Sequence, residues 1–173
     1  MKKIVLLLMV AMNSAYADTA PAIKLKTNVI NEKSVVAGLP LTFAEKGKSN
    51  NNRPRSRWKI TDSRLDKDLD WTVEFIGQKM ADADKVQWGC AEYDAAGNLA
   101  SAVPEINACH QFLVKMLGKF VADPAPLAVY LIKTSELRKQ SFGVRQGDFS
   151  FEVHKDFYGV VRESRRVNDF KNY

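Results

Sequence analysis

Two stretches of the chain repeat apolar residues at helical spacing and predict amphipathic helices. The first is expected over residues 64–80 and the second over residues 104–121, where Pro104 suits the first turn of a helix. Each helix offers one apolar side for packing against a sheet. The apolar stripe of the first helix comprises Leu65, Leu69, Val73, Ile76 and Met80.

Alternating or continuous apolar segments predict strands in the rest of the chain. The run from Leu127 to Ile132 is apolar throughout, as expected for a strand that is covered on both faces. The run from Val86 to Tyr93 alternates and is followed by a turn at residues 94–98. The expected strands cover residues 23–29, 86–93, 99–102, 127–132 and 157–165.

A hairpin is predicted around Gly147-Asp148, because glycine in the first position of a two-residue loop favours a tight turn between alternating strands. This register pairs Val144 with Phe151 and Phe142 with Val153. All four side chains then share one face, so the hydrophobic pattern and the turn agree.

The order of the elements predicts an α+β fold in which two main helices pack on a curved antiparallel sheet. The expected order is helix, two strands, helix and four strands (α-β-β-α-β-β-β-β). Over residues 63–167 that order resembles the cone-shaped fold of nuclear-transport-factor-like and cystatin-like proteins. The resemblance implies a concave pocket between sheet and helices, in a fold that serves enzymes, binding modules and secretion machinery alike.

Residues 1–17 have the pattern of a bacterial signal peptide. Met1-Lys2-Lys3 is basic, residues 4–12 are apolar, and Ala15-Tyr16-Ala17 matches a cleavage site. The apolar run is too short for a membrane span, which needs about 20 residues. We therefore expect export to the periplasm, with secretion as the alternative, and no transmembrane anchor after cleavage.

The rest of the chain divides into four parts by composition. Residues 18–43 form an N-terminal extension that contains the first expected strand. Residues 44–59 combine glycine, asparagine and basic residues without periodicity, which is typical of a flexible linker. Residues 60–167 carry the periodic patterns of one α+β domain, and residues 168–173 are expected to be a frayed tail.

Composition and charge exclude several classes of protein. The chain has 173 residues, 46% of them hydrophobic, with 26 basic and 20 acidic residues and a net charge of +6. These values are ordinary for a globular protein and argue against a disordered, collagen-like or multi-span membrane protein. Cleavage after Ala17 would remove Lys2 and Lys3 and lower the charge to +4, too small an excess to indicate nucleic-acid binding by itself.

Cys90 and Cys109 are the two cysteines of the chain. An even number of cysteines in an exported protein indicates a disulfide. Cys90 on a strand and Cys109 at the centre of an apolar helix face would both point to the core. Two buried free thiols and a reactive thiol are the alternatives, but no C-x-x-C motif is present.

Basic residues concentrate in the expected linker, and an acidic stretch follows at residues 61–96. In one interpretation the linker folds back onto that acidic stretch. In the other it binds a polyanion such as lipopolysaccharide phosphates, anionic lipid or DNA, with Arg57-Trp58 offering a ring for stacking. The candidate polyanion-binding residues are Arg53, Arg55, Arg57, Trp58 and Lys59.

Trp71 and Phe75 lie outside the apolar stripe of the first expected helix and would form a second, aromatic face. In one interpretation, residues 23–43 fold over the helix and cover both rings. In the other, the rings are exposed and bind a partner, since exposed aromatic side chains mark interaction sites.

Few side chains are candidates for catalysis. His110 lies at the edge of an apolar helix face, which favours a partly buried structural histidine. Ser150, Glu152 and His154 share the polar side of one strand and form either a solvated face or a functional cluster. Neighbours on one strand cannot easily make the sequential contacts of a catalytic triad. No catalytic residue, metal site or cofactor is predicted.

Together these observations predict a non-enzymatic periplasmic protein that binds or scaffolds another envelope protein. One alternative is a small periplasmic hydrolase with an unrecognised site. The other is a polyanion-binding module that uses the basic segment. The sequence pattern does not indicate an oligomeric state.

Overall fold

A seven-stranded antiparallel sheet organises the protein and confirms the predicted α+β class. The computed structural model describes residues 19–62, 71–89, 108–138, 141–154 and 157–166. The strands are β1 (Leu41–Lys48), β2 (Pro54–Ile60), β3 (Thr72–Ile76), β4 (Lys85–Gly89), β5 (Phe142–Gln146), β6 (Phe149–His154) and β7 (Phe157–Arg162). Their order across the sheet is β1-β2-β3-β4-β7-β6-β5.

Two antiparallel meanders build this sheet. Strands β1 to β4 pair in sequence, and so do β5 to β7. The meanders join where β4 pairs with β7, with Val86 opposite Val160. Strands β1 and β5 are therefore the two edges of the sheet.

Helices cover one side of the sheet, which we call the helical face. They are α1 (Glu32–Val36), α2 (Ala108–Leu117) and α3 (Pro124–Arg138). Tyr130 of α3 makes an edge contact with Phe142 of β5, and Phe120, just after α2, packs against Phe149 of β6. The sheet contributes Val73, Phe75, Val86, Trp88, Phe151, Val153 and Val160 to the buried core beneath these helices.

Helix α2 confirms the helix predicted over residues 104–121 from Ala108 to Leu117, where it ends short of the predicted boundary. Cys109 lies on its buried side and is 6% exposed, as its position on the apolar face predicts. Cys90 lies outside the described residues, so its pairing with Cys109 stays a prediction.

Residues 44–59 do not form the predicted flexible linker, and that prediction is wrong. They belong to a hairpin in which Leu41 lies opposite Ile60 and Lys48 opposite Pro54. The asparagine-rich stretch makes the turn, where Asn52 adopts a positive φ of 59°. Asparagine tolerates this left-handed conformation better than most residues, so the composition that suggested a linker serves a tight turn.

The helix predicted over residues 64–80 is wrong at residues 72–76, which form β3. Val73 and Phe75 are fully buried on the helical face, and Glu74 between them points to the opposite side. Residues 63–70 lie outside the described residues. A short 3-10 turn, Met80–Asp82, follows where the helix was expected to end.

The strand predicted over residues 127–132 is also wrong, because this run lies inside α3. A short apolar run cannot by itself distinguish a buried strand from a buried helix. Pro124 and Pro126 fall in the first turn of α3, where backbone N–H groups have no intrahelical acceptor. The prolines therefore permit a helix to begin here, after α2 has already ended at Leu117.

The predicted hairpin at Gly147 is confirmed in register. Val144 pairs with Phe151 and Phe142 with Val153, and Gly147 has a φ of 58°. The last strand is confirmed as β7, which ends at Arg162 before a 3-10 turn, Glu163–Arg165.

The segment before β1 packs on the core without joining the sheet. Residues 23–29 form no strand of the sheet, contrary to the prediction, and Leu25 makes only an isolated bridge to Val121. Ile30, which bridges Ala83, is fully buried. The expectations for residues 1–17, 99–102 and 168–173 fall outside the described residues. None of the helices in the described ranges is long and apolar enough to cross a membrane.

Candidate functional site

The side of the sheet opposite the helices, which we call the polar face, carries the charged side chains of the strands. Successive residues of a strand point to opposite sides, so residues between the core positions lie on this face. One registered row crosses all seven strands from β1 to β5. Its members are Glu45, Arg57, Glu74, Gln87, Gly159, Glu152 and Gly143.

Glu74 on β3 is the acceptor at the centre of one half of this face. Arg57 donates from Nε at 2.9 Å and Arg55 from Nη1 at 3.4 Å, both to Glu74 Oε1. Gln87 donates from Nε2 to the other carboxylate oxygen at 2.9 Å. The two neighbouring strands, β2 and β4, thus supply three donors to one carboxylate.

Glu45 on the edge strand β1 binds the same two arginines from their more exposed side. Its carboxylate lies 2.8 Å from Arg55 Nη2 and 3.2 Å from Arg57 Nη1. The side chain of Glu45 is 47% exposed, against 14% for Glu74. Water therefore screens the outer carboxylate more than the inner one.

A pocket of about 140 Å³ opens beside Glu74 on the polar face. Lys85 lines it although this residue is only 5% exposed. Within the described part of the chain, the Nε of Arg55 is buried and has no hydrogen-bond acceptor. The lining is rich in donors and contains one carboxylate. It consists of Ser49, Asn50, Arg55, Arg57, Glu74, Ile76, Lys85 and Gln87.

Glu152 on β6 is a second buried acceptor on the same face. Ser150 donates its hydroxyl to Oε1 at 2.9 Å, His154 Nε2 lies 3.2 Å from Oε2, and Arg166 forms a salt bridge with Oε1. Burial raises the pKa of Glu152, but hydrogen bonds from His154, Arg166 and Ser150, with the charge of Arg166, lower it to about 2.

The structure therefore brings Ser150, Glu152 and His154 together, with the carboxylate between the other two. A hydrolytic triad needs the histidine to take the proton of the nucleophile and the carboxylate to orient that histidine. Here the serine hydroxyl donates to the carboxylate instead. In the described contacts, Ser150 and His154 both bind the Glu152 carboxylate, and no proton relay leads from the serine to the histidine.

The candidate polyanion-binding residues separate into three places. Arg55, Arg57 and Lys59 alternate along β2 and share the polar face. Trp58 points to the helical face, where its indole N–H donates to Glu32 at 2.7 Å. Arg53 forms a salt bridge with Asp84 at the end of the sheet. Trp58 is thus not placed to stack bases beside the arginines.

The candidate partner-binding pair is split as well. Phe75 is fully buried in the core and presents no surface to a partner. Trp71, just before β3, is half-buried, and its ring lies near Gly89, against which Phe157 also packs. Phe157 is 45% exposed, and sequence analysis did not single it out.

His110 is buried at 6% exposure, and burial lowers its pKa, as expected for a structural histidine. Among the described residues, no group of three or more histidine, cysteine, aspartate or glutamate side chains is arranged to hold a metal ion.

Three residues of the pocket, Glu74, Lys85 and Gln87, were missed from sequence. In the sequence Glu74 stands out only as part of the acidic stretch at residues 61–96, and neither Lys85 nor Gln87 is singled out. The alternation Val73-Glu74-Phe75 was the signal that could have placed Glu74 opposite the core. No known protein-family model matches this chain, and no curated protein or solved structure is significantly similar to it.

Proposed function

We propose that this is an exported, non-enzymatic protein of the bacterial envelope that binds another envelope component through the polar face of its sheet. The observation that carries the proposal is the pair of fixed carboxylates, Glu74 and Glu152, each held by three donors. Charged groups that are already immobilised lose little further side-chain entropy on binding. Such a surface suits recognition.

The same contacts disfavour the hydrolase alternative. A general acid or base works best with a pKa near the operating pH. The pKa of Glu152 is about 2, far from neutrality, so this carboxylate stays ionised. Glu152 therefore serves better as a fixed negative charge than as a group that exchanges protons.

Export rests on the signal-like residues 1–17. Mass spectrometry of the protein recovered from a periplasmic extract should give a chain that begins at Asp18. A chain that keeps Met1 and stays in the cytoplasm would contradict export. Recovery of the shortened chain from the culture medium would instead identify secretion.

Binding through the polar face is tested in cells by placing a photoreactive amino acid at Lys59, an exposed position on that face. Lys133, exposed on α3, is the matched control. The proposal expects a discrete crosslinked product from position 59 and none from position 133. Equal products from both positions, or no product from position 59, would show that the polar face is not the binding surface.

A further inference from the structure

We propose that the free edge of β1 binds an extended acidic segment of a partner protein, which adds a further strand to the sheet. This interaction goes beyond the polar face, because the partner would pair with the backbone of the edge strand. Addition of a strand to an exposed edge is a recurring way in which proteins bind extended peptides. The backbone then supplies the hydrogen bonds, and the side chains that flank the edge select the segment.

The edge of β1 is open along almost its whole length. Residues 42–48 are all exposed. Within the described ranges, β2 is the one strand that pairs with β1, so the backbone groups that point away from β2 are available to another strand. The opposite edge, β5, has five residues to the eight of β1 and contacts α3 through Phe142. Strand β1 is therefore the longer and more accessible edge.

A bulge in β1 decides which side chains flank the edge. Phe43 lies opposite Trp58, and the bulge follows immediately, so that Lys46 lies opposite Ser56. Trp58 and Ser56 both point to the helical face, and residues directly opposite each other share a side of the sheet. In a regular strand, residues three positions apart would point to opposite sides. The bulge thus brings Phe43, Lys46 and Lys48 to the same side of the edge.

These three side chains combine an apolar surface with positive charge. Phe43 is 45% exposed, although the edge of one aromatic ring packs on the other at 5.3 Å between the centroids of Phe43 and Trp58. Lys46 and Lys48 are exposed, and neither makes a salt bridge to another described residue. A strand added beside β1 would meet one aromatic ring and two ammonium groups at alternate positions.

The acidic side chains of this region are bound elsewhere. Glu45 points to the polar face, where its carboxylate binds two arginines. Glu32 lies on the helical face, where its Oε1 accepts two hydrogen bonds from side chains of β2. In the described part of the chain, neither carboxylate lies within salt-bridge distance of Lys46 or Lys48. Even when Glu32 is counted against the two lysines, this side of the edge keeps one positive charge in excess.

The lysines select the class of segment. Lysine on an edge strand opposes the addition of an uncharged strand, because that strand would remove water from the ammonium group without replacing its interactions. A second copy of β1 that pairs antiparallel about any residue from 45 to 48 would place like charges opposite each other, which destabilises the pairing. A segment with acidic side chains at alternate positions would place opposite charges there instead. The edge therefore fits an acidic partner better than another copy of this chain.

The first experiment titrates the mature protein into a fluorescent octapeptide in which glutamate and valine alternate, and follows the anisotropy of the label. The matched probe has lysine in place of every glutamate. We expect saturable binding of the acidic peptide alone. Lys46→Glu should weaken it about fivefold, because one attraction between facing side chains becomes a repulsion. Lys133→Glu makes the same change at an exposed position of α3 and should leave the affinity within about twofold.

Hydrogen exchange locates the bound peptide. A peptide that pairs with the edge should slow the exchange of alternate amides within residues 41–48, since antiparallel pairing engages every second residue of an edge strand. The amides of β5 should exchange as before. Slower exchange at β5, or at neither edge, overturns the proposal. Lys48→Glu is a second edge variant, in case circular dichroism shows that Lys46→Glu alters folding.

Three further outcomes would also overturn the proposal. Equal binding of the two peptides, or an equal loss of affinity in Lys133→Glu and in the folded edge variant, would show that general charge or general stickiness explains the binding. Protection of the β1 amides that rises with protein concentration in the absence of peptide would identify a second copy as the occupant. No binding of the acidic peptide, while position 59 still crosslinks, would reject the edge site and leave the proposed use of the polar face standing.

Discussion

The indole N–H of Trp58 donates to Glu32 Oε1 at 2.7 Å, and this contact ties α1 to β2. The hydroxyl of Ser56, which is 1% exposed, donates to the same oxygen at 2.6 Å. One carboxylate thus satisfies two donors of the helical face. The segment before β1 is anchored to the sheet by this polar contact as well as by the burial of Ile30 and Val35.

Replacement of Glu32 by alanine should lower the free energy of unfolding by about 1–3 kcal/mol, since it leaves the Ser56 hydroxyl buried without its acceptor. Urea unfolding of the mature protein measures the change. Lys33→Ala, at an exposed position of the same helix, is the control and should stay within about 0.5 kcal/mol of wild type. Equal effects from the two variants would show that the Glu32 contacts contribute nothing specific.

Stability should fall in acid because of Glu152. The pKa of this carboxyl is about 2 in the folded protein, below its ordinary value of 4.5. A lowered folded-state pKa gives stability that is complete above the unfolded-state pKa and is lost as the pH falls from about 4.5 to 2. The full contribution is about 3 kcal/mol. Urea unfolding at a series of pH values should show this loss in wild type and a shallower one in Glu152→Gln. The same dependence of stability on pH in both proteins would contradict the lowered pKa of Glu152.

Three arginines and three aspartates form a network of ion pairs at one end of the sheet. Asp84 accepts from Arg53 and lies 3.4 Å from Arg165, and its side chain is 7% exposed. Asp82 bonds Arg162 and Arg165 but is 32% exposed. The sixth member, Asp148, lies 2.6 Å from Arg162.

Burial decides which member of this network matters most. Asp84→Ala should cost about 3–5 kcal/mol, because it leaves the partly buried guanidinium of Arg53 without its carboxylate. Asp82→Ala should cost about 1 kcal/mol or less, because the Asp82 carboxylate is partly exposed and Arg162 keeps its pairing with Asp148. Thermal unfolding of the two variants side by side tests the order. A larger loss from Asp82→Ala would overturn it.

The backbone conformation of Gly147 in the hairpin turn predicts that a side chain at this position lowers stability. Its φ of 58° is left-handed, so Gly147→Ala should lower stability by about 1–2 kcal/mol. Gly47→Ala on β1 is the matched control, because its φ is not positive and its new Cβ would meet only Arg55 Nη2 at an ordinary 3.5 Å. Calorimetric midpoints should fall for the first variant and change little for the second. Similar midpoints for both would contradict the turn assignment.

Local chemistry made the β5–β6 hairpin predictable. Gly147 fixes a two-residue turn, and Phe142, Val144, Phe151 and Val153 alternate on either side, so turn and pattern allow one register. Cys109 and its helical neighbours were predictable for a similar reason, since a ten-residue helix repeats its apolar period several times. In both cases the residues that determine the structure lie within one short segment of the chain.

The wrong predictions involve segments whose partners lie elsewhere in the chain. Val73 and Ile76 fit a helical stripe with Leu69 as well as they fit a strand, and only pairing with β2 and β4 selects the strand. Leu127 to Ile132 fit a buried strand or a buried helix equally. The pocket combines residues of the β1–β2 turn and three strands, so it could not be predicted before β3 was recognised.

The junction between β4 and β7 has a consequence for how the chain folds. Its paired residues lie roughly seventy positions apart, whereas each meander is built from neighbouring strands. Closing so long a loop is slow, so the two meanders are expected to form early and to dock late. During that interval β4 presents an unpaired edge, the feature most prone to join another chain. A chain that emerges N-terminus first must protect this edge until β7 arrives.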